Sequence, residues 1–206
     1  MNSQDVLNRH EWRELIEMLP VVQEFFGGDE DSHGINALMH GLAVYIEQTL
    51  AHIDAGKPFV WYNLGFNSEL IWAMGDLQPL PIETLGALHS CLCNSRLTKE
   101  FIDEAQAVGI PLDSCSADKL AIGAIRRGLY PKPVCTVGIN TPCDAQVLST
   151  QVMAELGEAP FFPIDVPYYH NEETIIHVAG QLKAADLDNM TPEEALDLLR
   201  KLREEL

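Results

Sequence analysis

The sequence predicts an α/β fold, a Rossmann-like parallel sheet flanked by helices, with extra N-terminal helices and a C-terminal helix. Short β-favouring runs alternate with helical periods beyond residue 57, and the runs at 59–62 and 133–139 pass through turn residues into a helix. Composition agrees: 47% of the 206 residues are hydrophobic and 21% charged, enough apolar material for a core and outside the range of disordered chains. That length sets the expectation of one compact domain, or one with an appendage.

In residues 5–26, Val6, Trp12, Leu15, Ile16, Leu19, Val22, Phe25 and Phe26 recur at three and four residues, an amphipathic helix that Pro20 is able to bend or split. Gly27 and Gly28 end it. A second helical period covers 35–53 through Leu38, Leu42, Ile46 and Leu50, and stops at Gly56 and Pro58. Phe59-Val60-Trp61-Tyr62 is bulky and β-favouring, and Gly65-Phe66-Asn67-Ser68-Glu69 turns from it into a helix over 70–74. Residues 77–82 read as a short strand interrupted by Pro79 and Pro81, and 83–93 and 98–108 as helices. The most regular stretch follows: helix 116–129, strand 133–139, helix 144–156, strand 160–164. Such alternation predicts right-handed crossovers and a doubly wound parallel sheet.

A helix is expected from about 171 to 183, then a linker, then a last helix with Thr191 as N-cap, Pro192 first and Glu194 at the capping-box position. Leu196, Leu199 and Leu202 share one of its faces, which would pack on the lobe or form a homo-oligomer contact with a copy of itself. The organisation is thus residues 1–56, an N-terminal helical segment packing on the lobe; 57–185, the Rossmann-like lobe; and 186–206, the linker and C-terminal helix.

Thirteen basic and 31 acidic residues give a formal charge of −18. Phosphate neutralisation needs a cationic surplus, so nucleic acid is not an expected partner. The opening residues lack a basic stretch followed by an apolar one, and no run reaches the ~18 apolar residues of a membrane span. A soluble, cytoplasmic protein with no membrane partner is expected.

Five cysteines, all between 91 and 143, are an odd number that argues against a disulfide framework. Cys115 and Cys143 each stand immediately before a predicted helix, where free N–H groups and the helix dipole favour a thiolate ligand or nucleophile. Burial at a crowded turn is the plain alternative for each. Cys135 falls within a strand and reads as core. Cys91 and Cys93 have one residue between them rather than two and read as structural. Lys119, Arg126, Arg127 and Lys132 form a run with no acidic residue between Lys119 and Cys143. It suits an anionic group or an acidic partner, and a solvated helix face explains it as readily.

Several motifs together carry a resemblance. Gly65-Phe66-Asn67-Ser68-Glu69 leads an apolar helix to Gly75; Ile110-Pro111-Leu112-Asp113-Ser114-Cys115-Ser116 and Thr141-Pro142-Cys143-Asp144 each centre on a cysteine; Phe161-Phe162-Pro163-Ile164-Asp165-Val166-Pro167-Tyr168 is an aromatic strand ending in Asp-Val-Pro. In order and spacing these resemble the D component of the 2-hydroxyacyl-CoA dehydratases, the benzoyl-CoA reductase and 2-hydroxyglutaryl-CoA dehydratase family, over roughly residues 57–182. The resemblance implies an iron–sulfur lyase of anaerobic metabolism with a 4Fe-4S cluster held by cysteine thiolates. An ATP-dependent activator protein delivers an electron through it, and an acyl-CoA thioester is reduced to a ketyl radical that loses water, or an aromatic ring is reduced.

Carried over by position, Cys115 and Cys143 are the cluster ligands, Glu69 a catalytic pocket group, and Asp144 and Ser116 their supporting neighbours. Glu69 and Asp144 also read as ordinary helix-start acids. The resemblance further implies a third cysteine from a second lobe, and no cysteine follows Cys143. Cys91, Cys93, Cys135, a paralogous subunit, a C-terminal lobe or an exogenous ligand would have to supply it. A truncated, non-catalytic homologue acting as a cluster-binding or protein-binding module is the alternative function. A plain small-molecule binder is a third, without the Gly-x-Gly-x-x-Gly fingerprint of dinucleotide binding.

Overall fold

A computed structural model describes residues 9–25, 32–93, 95–141, 143–169 and 171–184. In chain order the elements are α1 (Arg9–Phe25), α2 (His33–Ala55), β1 (Phe59–Tyr62), α3 (Ser68–Ala73), β2 (Gln78–Pro81), α4 (Ile82–Leu88), a π-helical turn (His89–Cys93), α5 (Ser95–Ala107), α6 (Ser116–Arg126), β3 (Cys135–Ile139), α7 (Asp144–Gly157), β4 (Phe161–Ile164) and α8 (Glu172–Ala184). The expected linker and helix over 186–206 lie outside the described residues. Two compact units are present, Met1–Lys57 with Glu83–Pro131, and Pro58–Ile82 with Lys132–Leu206.

The first unit is helical. On α1, Trp12, Leu15, Leu19 and Val22 are buried, the spacing of a helix with one apolar face, and Pro20 sits within the helix on its exposed side. Trp12 donates its indole N–H to the Leu129 carbonyl at 2.9 Å and meets the His89 ring edge-on at 5.4 Å. α2 closes at Gly56, whose φ of 63° lets Gly56 and Lys57 return their N–H groups to Ile53 and His52. The single helix expected over 83–93 instead changes pitch at His89. There the His89 Nδ1 meets the Leu85 carbonyl at 2.9 Å and the Ser90 hydroxyl donates to the Ala87 carbonyl at 3.1 Å, side-chain bonds that compete for the carbonyls of the preceding turn.

The second unit holds a four-stranded, all-parallel sheet in the order β2-β1-β3-β4. The chain leaves β1 towards β2 and leaves β3 in the opposite direction, so right-handed connections put α3 and α7 on opposite faces. Val60, Ile71, Val137 and Ile164 form the core on the α3 side, with Val178 and Leu182 of α8 packed against it. On the α7 side, the helix lies so near the sheet that a Cβ on Gly157 would stand 2.7 Å from the Trp61 ring and one on Gly138 3.0 Å from the Thr150 methyl. Both faces of the sheet are therefore covered, as the alternating elements predict.

Pro79 and Pro81 do not interrupt β2. Gln78 donates its N–H to the Pro58 carbonyl at 3.1 Å, and the alternation of a parallel ladder turns Leu80 the same way, leaving both proline nitrogens outward. Pro163 of β4 follows the same rule. Thr136 donates to the Pro160 carbonyl at 2.8 Å, so Phe162 and Ile164 face β3 and the Pro163 nitrogen faces away.

Candidate functional site

In an open α/β sheet, ligands bind beyond the strand carboxyl ends where the strand order reverses, here between β1 and β3. The first residue past β1 is Asn63, fully buried. Its backbone N–H continues the ladder to the Val137 carbonyl at 3.3 Å, and its side chain supplies the next rung. Asn63 Nδ2 donates to the Ile139 carbonyl at 2.9 Å, and Asn63 Oδ1 accepts the Ile139 N–H at 3.2 Å. The two loops then close on each other at Gly65, where a Cβ would lie 2.7 Å from the Thr141 carbonyl oxygen and from Ile139 Cδ1. Only a residue without a side chain fits.

The first residue past β3, Asn140, repeats the device on the other side. Its Oδ1 accepts the Val166 N–H at 2.8 Å, the next inward-facing donor after Phe162 and Ile164. Beyond it the Thr141 hydroxyl meets the Asn140 Oδ1 and the Val166 carbonyl, each at 3.4 Å. Pro142 lies outside the described residues. Cys143 is the N-cap of α7, with extended backbone (φ −146°, ψ 151°), an exposed thiol and no side-chain cap bond. Its carbonyl accepts the Gln146 N–H at 3.1 Å. Asp144 is the first residue of α7.

On the α3 side, Asn67 caps the helix by accepting the Glu69 N–H at 3.0 Å, which places Glu69, exposed, in the first turn. Burial pushes the Tyr62 phenol above its ordinary 10.0, a Ser68 hydrogen bond opposes this, and the Glu69 charge adds to it. Glu69 therefore keeps company with Tyr62 and Ser68 at the carboxyl end of β1.

Cys115 belongs to the helical unit. It is the exposed N-cap of α6 and, like Cys143, makes no side-chain cap bond; exposed Ser116 follows it. Lys119 is buried beneath the same turn, and its Nζ donates to the Leu112 carbonyl at 2.8 Å, tying the 110–115 loop to the start of α6. Arg126 pairs with Glu104 at 2.9 Å, Arg127 with Glu100 at 2.5 Å, and Lys132 with Glu158 at 2.5 Å. The four cations thus have partners already, and Lys132 lies in a different unit from the rest. The linear sequence hides this because Glu100, Glu104 and Glu158 lie outside the run.

Cys135 packs against the α3-side core, and burial pushes its thiol up to about 11. It stands at the amino end of β3 and Cys143 beyond the carboxyl end, roughly 13 Å of strand away. The two do not share one ligand shell. Cys91, on the π-helical turn, is exposed. By donor type, Cys115 and Cys143 suit an iron–sulfur cluster; by number, two thiols fall short of its positions. Among the described residues, no three His, Cys, Asp or Glu side chains gather into a metal-holding group. The structural residues that sequence reasoning misses are Asn63 and Asn140. An Asn directly after each strand that flanks the strand-order reversal is the signal that would have found them.

Fold and site define an open, doubly wound α/β protein that presents an unengaged cysteine where its strand order reverses. Residues 63–187, more than half of the chain, match the family described as 2-hydroxyglutaryl-CoA dehydratase, D-component, and the chain belongs to that family. A search of curated proteins found no match. No helix among the described residues is long and apolar enough to cross a membrane.

Proposed function

We propose that this chain is a D-component-type subunit of a 2-hydroxyacyl-CoA dehydratase or benzoyl-CoA reductase-type enzyme, with Cys115 and Cys143 as thiolate ligands of a 4Fe-4S cluster. The observation that carries the reading is Cys143: an exposed thiol, free of any capping bond, at the strand-order reversal within the matched family span. When bound, such a cluster supplies one-electron reduction of an acyl-CoA thioester.

The chain's own residues do the holding. Asn63, Gly65 and Asn140 hold the carboxyl end of β3 that leads towards Cys143, and Lys119 holds the loop that leads to Cys115. Glu69, beside Tyr62 and Ser68, offers a carboxylate to the same end of the sheet. The remaining ligand comes from a paralogous subunit, a further lobe or an exogenous group, and an ATP-dependent activator supplies the electron. A cytoplasmic site of action suits oxygen-sensitive chemistry of this kind.

Anaerobic purification and reconstitution, followed by iron and sulfide analysis and visible absorption, tests the proposal. Brown protein that loses iron in both Cys115→Ser and Cys143→Ser is expected. Colourless protein after reconstitution overturns it. A second reading is a non-catalytic cluster-binding or protein-binding module. Brown protein that never turns over acyl-CoA with its activator and partner subunit present would decide for that module.

A further inference from the structure

Of the strand-end motif Phe161 to Tyr168 only Val166 has entered the site so far, yet its neighbour Asp165 is engaged at every polar atom. Its Oδ1 accepts Asn140 Nδ2 at 2.5 Å and its Oδ2 meets His177 Nε2 of α8 at 3.2 Å. Its backbone N–H donates to Gln181 Oε1 at 2.9 Å, and its carbonyl accepts Gln181 Nε2 at 2.8 Å. The orientation of the Asn140 amide follows from its partners. Val166 brings an N–H, so the oxygen must face it and the NH₂ must face Asp165, which demands an acceptor there.

From this arrangement we infer that Asp165 is a positioning residue for the Cys143 turn, the junction through which α8 holds the carboxyl end of β3. Two residues of α8, His177 and Gln181, one helical turn apart, grip Asp165 from one side; Asp165 grips Asn140 from the other; and Asn140 stands three residues before Cys143. A carboxylate suits the position because it accepts on both sides at once, with charge-assisted bonds. Thr141 and Val166 close the ring around Asn140, so Asn140 and Thr141 are held before any ligand arrives. The importance of Cys143 here rests on the reading of it as a ligand; the bracing of its turn does not.

Amide hydrogen exchange on the full chain, without metal, tests the inference. In Asp165→Ala the amides of residues 139–146 are expected to exchange about tenfold faster, the effect of losing a charged hydrogen bond, while those of β1 in the same unit stay unchanged. Asp165→Asn keeps the acceptor for Asn140 and is expected to restore most of the protection. Alkylation of Cys143, followed against Cys115 as reference, is expected to change in the alanine variant and to recover in the asparagine one. An unchanged turn in Asp165→Ala, a rise shared equally by β1, or no recovery in Asp165→Asn overturns the inference. Cys143→Ser is expected to keep the turn protected, so loss of the cluster with a protected turn would sink the ligand reading alone.

Discussion

Gly123 of α6 lies so close to Phe101 of α5 that a Cβ on it would stand 2.2 Å from the Phe101 carbonyl oxygen and 2.3 Å from its Cα. The obstacle is backbone, which cannot rotate aside as a side chain does. Leu97, Phe101 and Ala105 are all buried on α5, so the helices cannot part there without exposing apolar surface. Gly123→Ala is therefore expected to cost ~3 kcal/mol, the upper end of what overpacking usually costs. Urea unfolding checks this, and a loss below ~1 kcal/mol would mean that the helices separate freely.

Removing Asn63 has a different cost, because its partners stay behind. In Asn63→Ala the Ile139 N–H and carbonyl both lose the amide that satisfies them. Two stranded backbone groups predict a loss of about 2–4 kcal/mol. Asn63→Asp is expected to be no better, since a carboxylate cannot donate to the Ile139 carbonyl and would be buried with its charge. Chemical denaturation of both variants is the measurement.

His89 predicts a pH dependence. Burial pushes its imidazole below the ordinary 6.5, against opposing help from the Leu85 carbonyl, the Glu14 charge and the Glu11 backbone. The folded protein thus takes up this proton less readily than the unfolded chain. Its contribution is whole above pH 6.5 and falls away as pH drops below 6.5 towards the lowered folded value. Comparison of wild type with His89→Gln at pH 7.5 and pH 5.5 isolates the effect: the stability gap between them should narrow at the lower pH. A constant gap would show that His89 does not carry it.

Glu158 holds a left-handed backbone, φ 54° and ψ 38°, at the end of α7, while its carboxylate pairs with Lys132 in the open. Glycine at this position relieves strain and alanine does not, yet both remove the ion pair. Glu158→Gly is expected to be more stable than Glu158→Ala by ~1 kcal/mol. The exposed pair itself should contribute less than ~1 kcal/mol in a double-mutant cycle with Lys132→Ala. Equal stability of the glycine and alanine variants would argue against a strained Glu158.

What the amino acids reveal by themselves is mostly local. Phe59 to Tyr62 announces β1 because bulky residues run together, and the apolar period of 144–156 announces α7 because one face must be buried. The change of pitch at His89 is less visible, since it depends on which carbonyls the His89 and Ser90 side chains reach. Asn63 and Ile139 are 76 residues apart, and no local pattern signals that they pair. The basic run from Lys119 to Lys132 shows the same limit: its acidic partners arrive through folding, and Lys119 turns inward to a loop carbonyl. Cys115 and Cys143 were legible as helix-start thiols because a cap position follows from the helix it precedes. The supports behind Cys143 come from β1, β4 and α8, and were not.

The outward proline of β4 bears on how this sheet meets other chains. A strand joining an edge needs an unbroken row of N–H donors; the exposed Pro163 removes one from β4, while β2 at the other edge is already buried from Gln78 to Leu80. Edge-to-edge aggregation is suppressed at the same stroke. A partner that approaches β4 is thereby turned towards side chains of helices and loops, among them the carboxyl-end loops that carry Asn140, Thr141 and Cys143, which are read by shape and chemistry instead of by backbone pairing.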